Sequence, residues 1–107
     1  MVSQQTIELA VQRLIQAAHS PIKVILFGSY ARGHAREDSD LDFLLIEAEI
    51  PSPAEEYNRL RGAIGQIGVG VDLLLYDQQE FERRRHWQTS PVYDAARMGK
   101  VMYERIA

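Results

Sequence analysis

Asp40 and Asp42, in the run Ser39-Asp40-Leu41-Asp42, are carboxylates separated by one residue, and they follow the dipeptide Gly28-Ser29 after a short interval. On a β-strand their side chains would project from one face, about 6.6 Å apart along the backbone, near enough to share bound metal. Leu41 and Phe43 would then face the other way, into a core. Two like charges held so close repel each other unless a cation lies between them. The pair therefore points to metal-assisted phosphoryl chemistry.

Gly28-Ser29 supplies the complement. A Gly lets the chain turn sharply and lets a ligand approach the backbone, and a Ser at a helix start offers a hydroxyl and an N–H to an anion. A phosphate tail would fit there. Arg32 lies between this turn and Asp40, placed either to reach a triphosphate or to pair with Glu37 or Asp38. A third carboxylate, Asp72, is the only charged residue in Val69-Gly70-Val71-Asp72-Leu73-Leu74-Leu75-Tyr76. That run reads as a buried strand, in which a lone Asp is costly unless a metal or a hydrogen-bond network meets it.

The elements that must position these groups are well punctuated. Ile22-Lys23-Val24-Ile25-Leu26-Phe27 is a β-branched, apolar run ending at Gly28, with Tyr30 to Gly33 long enough for one helical turn. Before it, Ile7, Ala10, Val11, Leu14, Ile15 and Ala18 recur at helical spacing on one face, predicting a helix that ends before Ser20-Pro21 and covers one side of a sheet. Ser52-Pro53-Ala54-Glu55 has the form of a capping box, opening a helix whose Tyr57, Leu60, Ile64 and Ile67 share a face and which Gly68 stops. Asp77 precedes a second capping pattern with Glu80. Ser90-Pro91 starts a last helix closed by Gly99, and a final strand is expected at Val101 to Arg105. The fold class is α/β (α+β): a small mixed β-sheet flanked by helices.

With 107 residues, 46% of them apolar, the chain is expected to form one domain over residues 1–107 with one core. A net charge of -3 and the lack of a basic stripe predict no direct nucleic-acid binding. The absence of cysteine excludes disulfides, zinc thiolates and thiol catalysis. With no signal peptide and no apolar run long enough to span a bilayer, a soluble cytoplasmic protein without membrane contact is expected. Arg83-Arg84-Arg85-His86 reads as a solvated helix face or a partner contact, and Trp87 and Phe81 as packing for the last two helices, with a partner patch around Trp87 as the alternative. His34 is the histidine near the proposed site and reads as a loop residue.

Gly28-Ser29, Ala31-Arg32-Gly33, Ser39-Asp40-Leu41-Asp42 and Val71-Asp72 together resemble the signature of minimal nucleotidyltransferases, the small branch of the DNA polymerase beta-like superfamily. The tail from Ser90 to Glu104 is similar to the ending such proteins have. The resemblance implies the polymerase beta-like nucleotidyltransferase fold, with Asp40 and Asp42 ligating two Mg2+ ions and Asp72 completing one metal site and helping to activate the nucleophile. Gly28 and Ser29, with Arg32, would hold ATP.

Family members of this size often act as antitoxins, transferring AMP from ATP to a tyrosine of a HEPN-domain toxin. The resemblance thus implies a cognate HEPN toxin as partner and a hetero-oligomer with it. Two alternatives stay open: transfer to a small molecule, and a binding-only antitoxin that masks its toxin without turnover. A site with no further domain to wall it favours a docked protein acceptor over a small one.

Overall fold

In the computed structural model, which describes residues 1–106, every apolar run anticipated as a strand meets a neighbour in one sheet. The elements follow as α1 (Gln4–Ala17), β1 (Pro21–Phe27), α2 (Gly28–Arg32), β2 (Leu41–Glu47), α3 (Pro53–Ile64), β3 (Val71–Asp77), α4 (Gln78–Arg84), α5 (Pro91–Met98) and β4 (Lys100–Glu104). Strand order is β3-β2-β1-β4. β1 runs antiparallel to both β2 and β4, whereas β2 and β3 are parallel and joined through α3, as a parallel pair requires. The sheet is therefore mixed, as expected.

Side-chain alternation divides the core into two clusters. Val24 and Leu26 of β1, Leu41, Phe43 and Leu45 of β2, and Leu73 of β3 pack with Ile7, Ala10, Val11 and Leu14 of α1 and Leu60 and Ile64 of α3. Ile25, Leu44 and Ile46 point to the other face and meet Phe81 of α4 and Val92 and Ala95 of α5. Leu41 and Phe43 are completely buried, so the inward-facing half of the Asp-x-Asp pattern is as anticipated. Asp42 and Asp72, of the opposite parity, fall on the α4/α5 face.

Several local readings give way to tertiary contacts. α3 stops at Ile64 because Gly65 adopts φ +67°, so Gly65 rather than Gly68 ends it. Ile67 then lies in the loop, and Tyr57 is 39% exposed; the buried stripe of α3 is Glu56, Leu60 and Ile64. Ser52 is the N-cap residue, yet its side chain caps no N–H. The carboxylate that matters there is Glu56, which accepts from His19 N at 2.9 Å and pairs with Arg59. Beside it, buried Glu47 accepts from Ser20 N at 2.8 Å. These two carboxylates hold the corner between α1 and β1 from across the chain. Asp77 and Ser90 do cap as expected, accepting from Glu80 N and Val92 N. Glu80 itself turns to Arg83 and Arg84, while Arg85 pairs with Glu82. Phe81 is buried, but Trp87 is 42% exposed and lies against the guanidinium groups of Arg83 and Arg84 instead of packing into the core.

Gly99 joins α5 to β4 where the backbone has no spare room. A Cβ there would overlap both the Ala95 carbonyl and Ile25 Cγ2. Neither neighbour is the free end of a flexible chain. Gly99→Ala is therefore expected to destabilise the fold by about 1–3 kcal/mol in denaturant unfolding.

Candidate active site

The carboxylates gather where three strand ends lie side by side. Asp42 is the second residue of β2, and the parallel register sets it opposite Asp72 of β3, while the antiparallel register sets it opposite Phe27, the last residue of β1. Asp40 precedes β2 instead of lying within it, so the two aspartates are not successive same-face residues of one ladder. What fixes Asp40 is the turn before it. Arg36 N donates to Ser39 Oγ at 2.8 Å, Ser39 N donates to the Arg36 carbonyl, and Leu41 N reaches the Gly70 carbonyl at 3.0 Å. Asp72 is exposed. The expectation that burial would force a partner on it fails because β3 is an edge strand, half covered.

Two glycines make room for two of the carboxylates. Gly28 has φ +72°, and a Cβ on it would overlap Asp42 Oδ2; a Cβ on Gly70 would overlap Asp40 Oδ1. Gly28 was anticipated from its turn, but the role of Gly70 was not. Its signal is a glycine directly before Val71-Asp72, one strand away from Asp40. Ser29 lies in the first turn of α2, and its carbonyl accepts from His34 N, which ties the loop after α2 back to that turn. His34 itself is exposed, as a loop residue would be. Among the described residues Arg32 forms no ion pair with Glu37 or Asp38; its charge instead acts on Asp42. Arg32 also borders a cavity of about 160 Å³ with Phe27, Gly28, Pro91, Asp94 and Met98.

Electrostatics at the site are dominated by crowding of like charge. Burial, a hydrogen bond with Asp72 and the negative charges of Asp72 and Asp40 push the Asp42 carboxyl up to about 6, against a smaller opposing pull from Arg32. A proton shared between Asp42 and Asp72 relieves the repulsion. A divalent cation would do so too. Among the described residues no three His, Cys, Asp or Glu side chains stand close enough together to hold a metal ion. The donor chemistry still suits one: these are hard oxygen ligands, the glycines leave Asp40 and Asp42 free of Cβ obstruction, and the raised Asp42 carboxyl marks the excess negative charge. Asp40, Asp42 and Asp72 thus fit Mg2+ by chemistry and would have to draw together around it.

Comparisons with known proteins bear on the family and the fold. A family model described as Nucleotidyltransferase domain matches residues 6–94. The Thermococcus cleftensis protein adenylyltransferase MntA is 42% identical over 50 residues, 47% of this chain and 50% of that protein. The chain spans about half the length of the first curated relatives it matches. Among solved structures, a toxin–antitoxin with AMP-PNP superposes with TM-score 0.68 at 18% identity, over 97% of this chain and 75% of that one. A complex of tri-AMPylated Shewanella oneidensis HEPN toxin with MNT antitoxin gives TM-score 0.62 at 19% identity, over 96% and 74%. At those identities the likeness is one of fold.

Two outcomes follow from the crowded carboxyls. A carboxyl whose pKa rises on folding, from 3.8 to about 6 for Asp42, stabilises the fold fully below pH 3.8 and loses that contribution as pH rises through 6. With metal chelated, the thermal midpoint should therefore carry a component from this site that falls between pH 4 and 7. Asp72→Asn should flatten that component and leave metal-free stability unchanged or raised. Gly70→Ala should cut transfer activity by displacing Asp40, with the thermal midpoint moving little because the exposed Asp40 side chain can swing aside.

Proposed function

The chain belongs to the nucleotidyltransferase domain family, and from that premise we propose that it is a metal-dependent enzyme moving AMP from ATP to a tyrosine of a HEPN toxin, which it thereby silences. The observation that carries the proposal is the register that sets Asp42 opposite Asp72 and beside the Gly28-Ser29 turn, with Asp40 held over Gly70. Residues 1–107 act as one nucleotidyltransferase domain in the cytoplasm, where ATP is supplied. Among the described residues no helix is long and apolar enough to cross a membrane.

Each group has a chemical task in that reading. Gly28 and Ser29 present backbone N–H and hydroxyl donors to the triphosphate, and Arg32 adds a positive charge beside them. Asp40, Asp42 and Asp72 would hold two Mg2+ ions, which would lower the pKa of the attacking hydroxyl and neutralise the leaving phosphates. Asp72, exposed on the edge strand, is where an incoming hydroxyl can deliver its proton. The tyrosine oxygen forms a bond to the α-phosphorus, the bond from that phosphorus to the bridging oxygen breaks, and pyrophosphate departs. Docking supplies orientation, which is worth several kcal/mol to a bimolecular step.

The protein acceptor is supported by the names of the similar proteins: an adenylyltransferase in Thermococcus cleftensis, and a tri-AMPylated HEPN toxin bound to an MNT antitoxin. One observation favours a second reading, transfer to a small molecule. A cavity of about 470 Å³ opens beside Gly70, within the size range of small-ligand sites.

The test is incubation with a HEPN-domain toxin, ATP and Mg2+, followed by mass spectrometry and a toxicity assay. Adenylate should appear on a toxin tyrosine and toxicity should vanish. Asp40→Ala with Asp42→Ala should lower transfer by about a hundredfold or more. ATP and Mg2+ together should raise the thermal midpoint by more than the sum of their separate effects, a coupling that Ser29→Ala weakens and Asp42→Ala removes. A double mutant that still neutralises the toxin, with no adenylated peptide found for the intact protein, would leave binding alone as the mode of action.

A further inference from the structure

We propose that the acceptor docks on the β3 side of the site, as an extended polypeptide segment laid along the free edge of β3 and seated in the cavity between the end of α3 and the loop Gly65–Gly70. The proposal deepens the nucleotidyl-transfer reading and rests on it. Three observations place the acceptor there.

Reaction geometry comes first. In an in-line displacement the attacking and leaving oxygens stand on opposite sides of phosphorus. Across the end of the sheet the order is β3 with Gly70 and Asp72, then β2 with Asp40 and Asp42, then β1 with Phe27, Gly28 and Ser29. A triphosphate held at the Gly28-Ser29 turn puts its leaving pyrophosphate on the β1 side. The attacking hydroxyl must then arrive from the β3 side.

That side holds a cavity of about 470 Å³, lined by Arg61 and Ile64 of α3 and by the loop from Gly65 to Val71. Gly70 forms the join: it lines the cavity, and Asp40 lies directly over it. The cavity lies on the α3 side of the sheet and Asp42 and Asp72 on the α4/α5 side, so an occupant reaches the carboxylates around the free edge of β3 at Gly70 and Val71, without crossing the nucleotide.

The third observation concerns the chemistry of the walls. Much of the lining is glycine-rich backbone, with peptide groups where side chains would otherwise stand. Gly70 turns its carbonyl toward β2, where Leu41 N donates to it, so the next carbonyl, that of Val71, points to the free edge. Arg61 caps that carbonyl with its guanidinium. Backbone amides in a row at an open strand edge are complementary to another extended backbone, the usual way a peptide adds to a sheet. Arg61, exposed and long, is a displaceable cap that holds the edge until the acceptor segment replaces it. It is a positioning residue and touches no reacting atom.

Gln66→Trp tests this. Gln66 is exposed at the cavity wall, so an indole fills the space without entering the core. With the HEPN protein as acceptor, Gln66→Trp should raise the KM for that protein by about tenfold or more while the KM for ATP and the joint stabilisation by ATP and Mg2+ stay as they were. Arg61→Lys, which keeps the charge but loses the fork, should shift the KM for the protein and not that for ATP, which a merely structural role would not do. An unchanged KM for the protein in Gln66→Trp, with nucleotide stabilisation intact, overturns the docking site and leaves the nucleotidyl-transfer reading standing. Loss of nucleotide stabilisation in Gln66→Trp would assign the cavity to ATP and also overturn it. So would normal transfer to the protein alongside lost transfer to a small hydroxyl compound such as an aminoglycoside, since the cavity would then hold a small acceptor. Absence of any transfer by the unsubstituted chain would sink both readings together.

Discussion

The register of β2 is the constraint on which everything else at the site depends. Leu41 and Phe43 to Glu47 are all buried, with Leu44 and Ile46 packing on one face while Leu41, Phe43 and Leu45 pack on the other. A slip of one residue against either neighbour would exchange the two faces and carry Asp42 into the α1/α3 core. Both pairings are therefore locked by apolar burial far larger than any single polar contact. The alignment of Asp42 with Asp72 and with Phe27 is inherited from that packing. Local attraction does not set it, since the charged carboxylates repel and any hydrogen bond between Asp42 and Asp72 follows from the alignment.

That repulsion is tolerated because of where it falls. Asp40 lies before the strand, Asp72 is on an edge and exposed, and Asp42 alone is partly enclosed, and that burial is the largest cause of its raised carboxyl. Gly28 and Gly70 give the carboxylates space without giving them partners. A cation bound among them would relieve that repulsion, so its binding and local stability would be linked through the same atoms.

Much of this was legible from residue types, and what was not has specific causes. The strand before Gly28, the first helix and the closing strand are coded by short-range apolar periodicity and by turn residues, and such signals survive into the fold. The exposure of Asp72 was hidden because an apolar run reads alike for a central and an edge strand; only the strand order reveals that β3 is uncovered on one side. Gly65 and Gly68 both take positive φ, and the hydrophobic spacing that ran on to Ile67 favoured the wrong one as the end of α3. The capping box at Ser52 does not form, and the carboxylate of that first turn that finds a partner is Glu56, one residue past the box, which accepts from His19 N, 37 residues away along the chain. Gly70 escaped notice for the same reason: its function lies in its distance from Asp40, which no linear spacing records.

The corner built by Glu47 and Glu56 bears on the order in which the chain assembles. His19 N and Ser20 N have their hydrogen bonds completed by side chains 37 and 27 residues downstream, so these amides stay open until β2 and α3 have both docked. The Ser20 bond closes with the β1–β2 pairing, which sets Pro21 opposite Glu47, whereas the His19 bond needs the longer closure to α3 and its larger loop entropy. Arg59 strengthens the latch by gripping Glu56 and the Ala17 carbonyl at once. The join between α1 and the sheet is thus a lock closed from outside, and the His19 amide proton, bonded to Glu56 of α3, would be among the first to exchange when α3 lifts, marking a route by which the chain opens from the end opposite its chemistry.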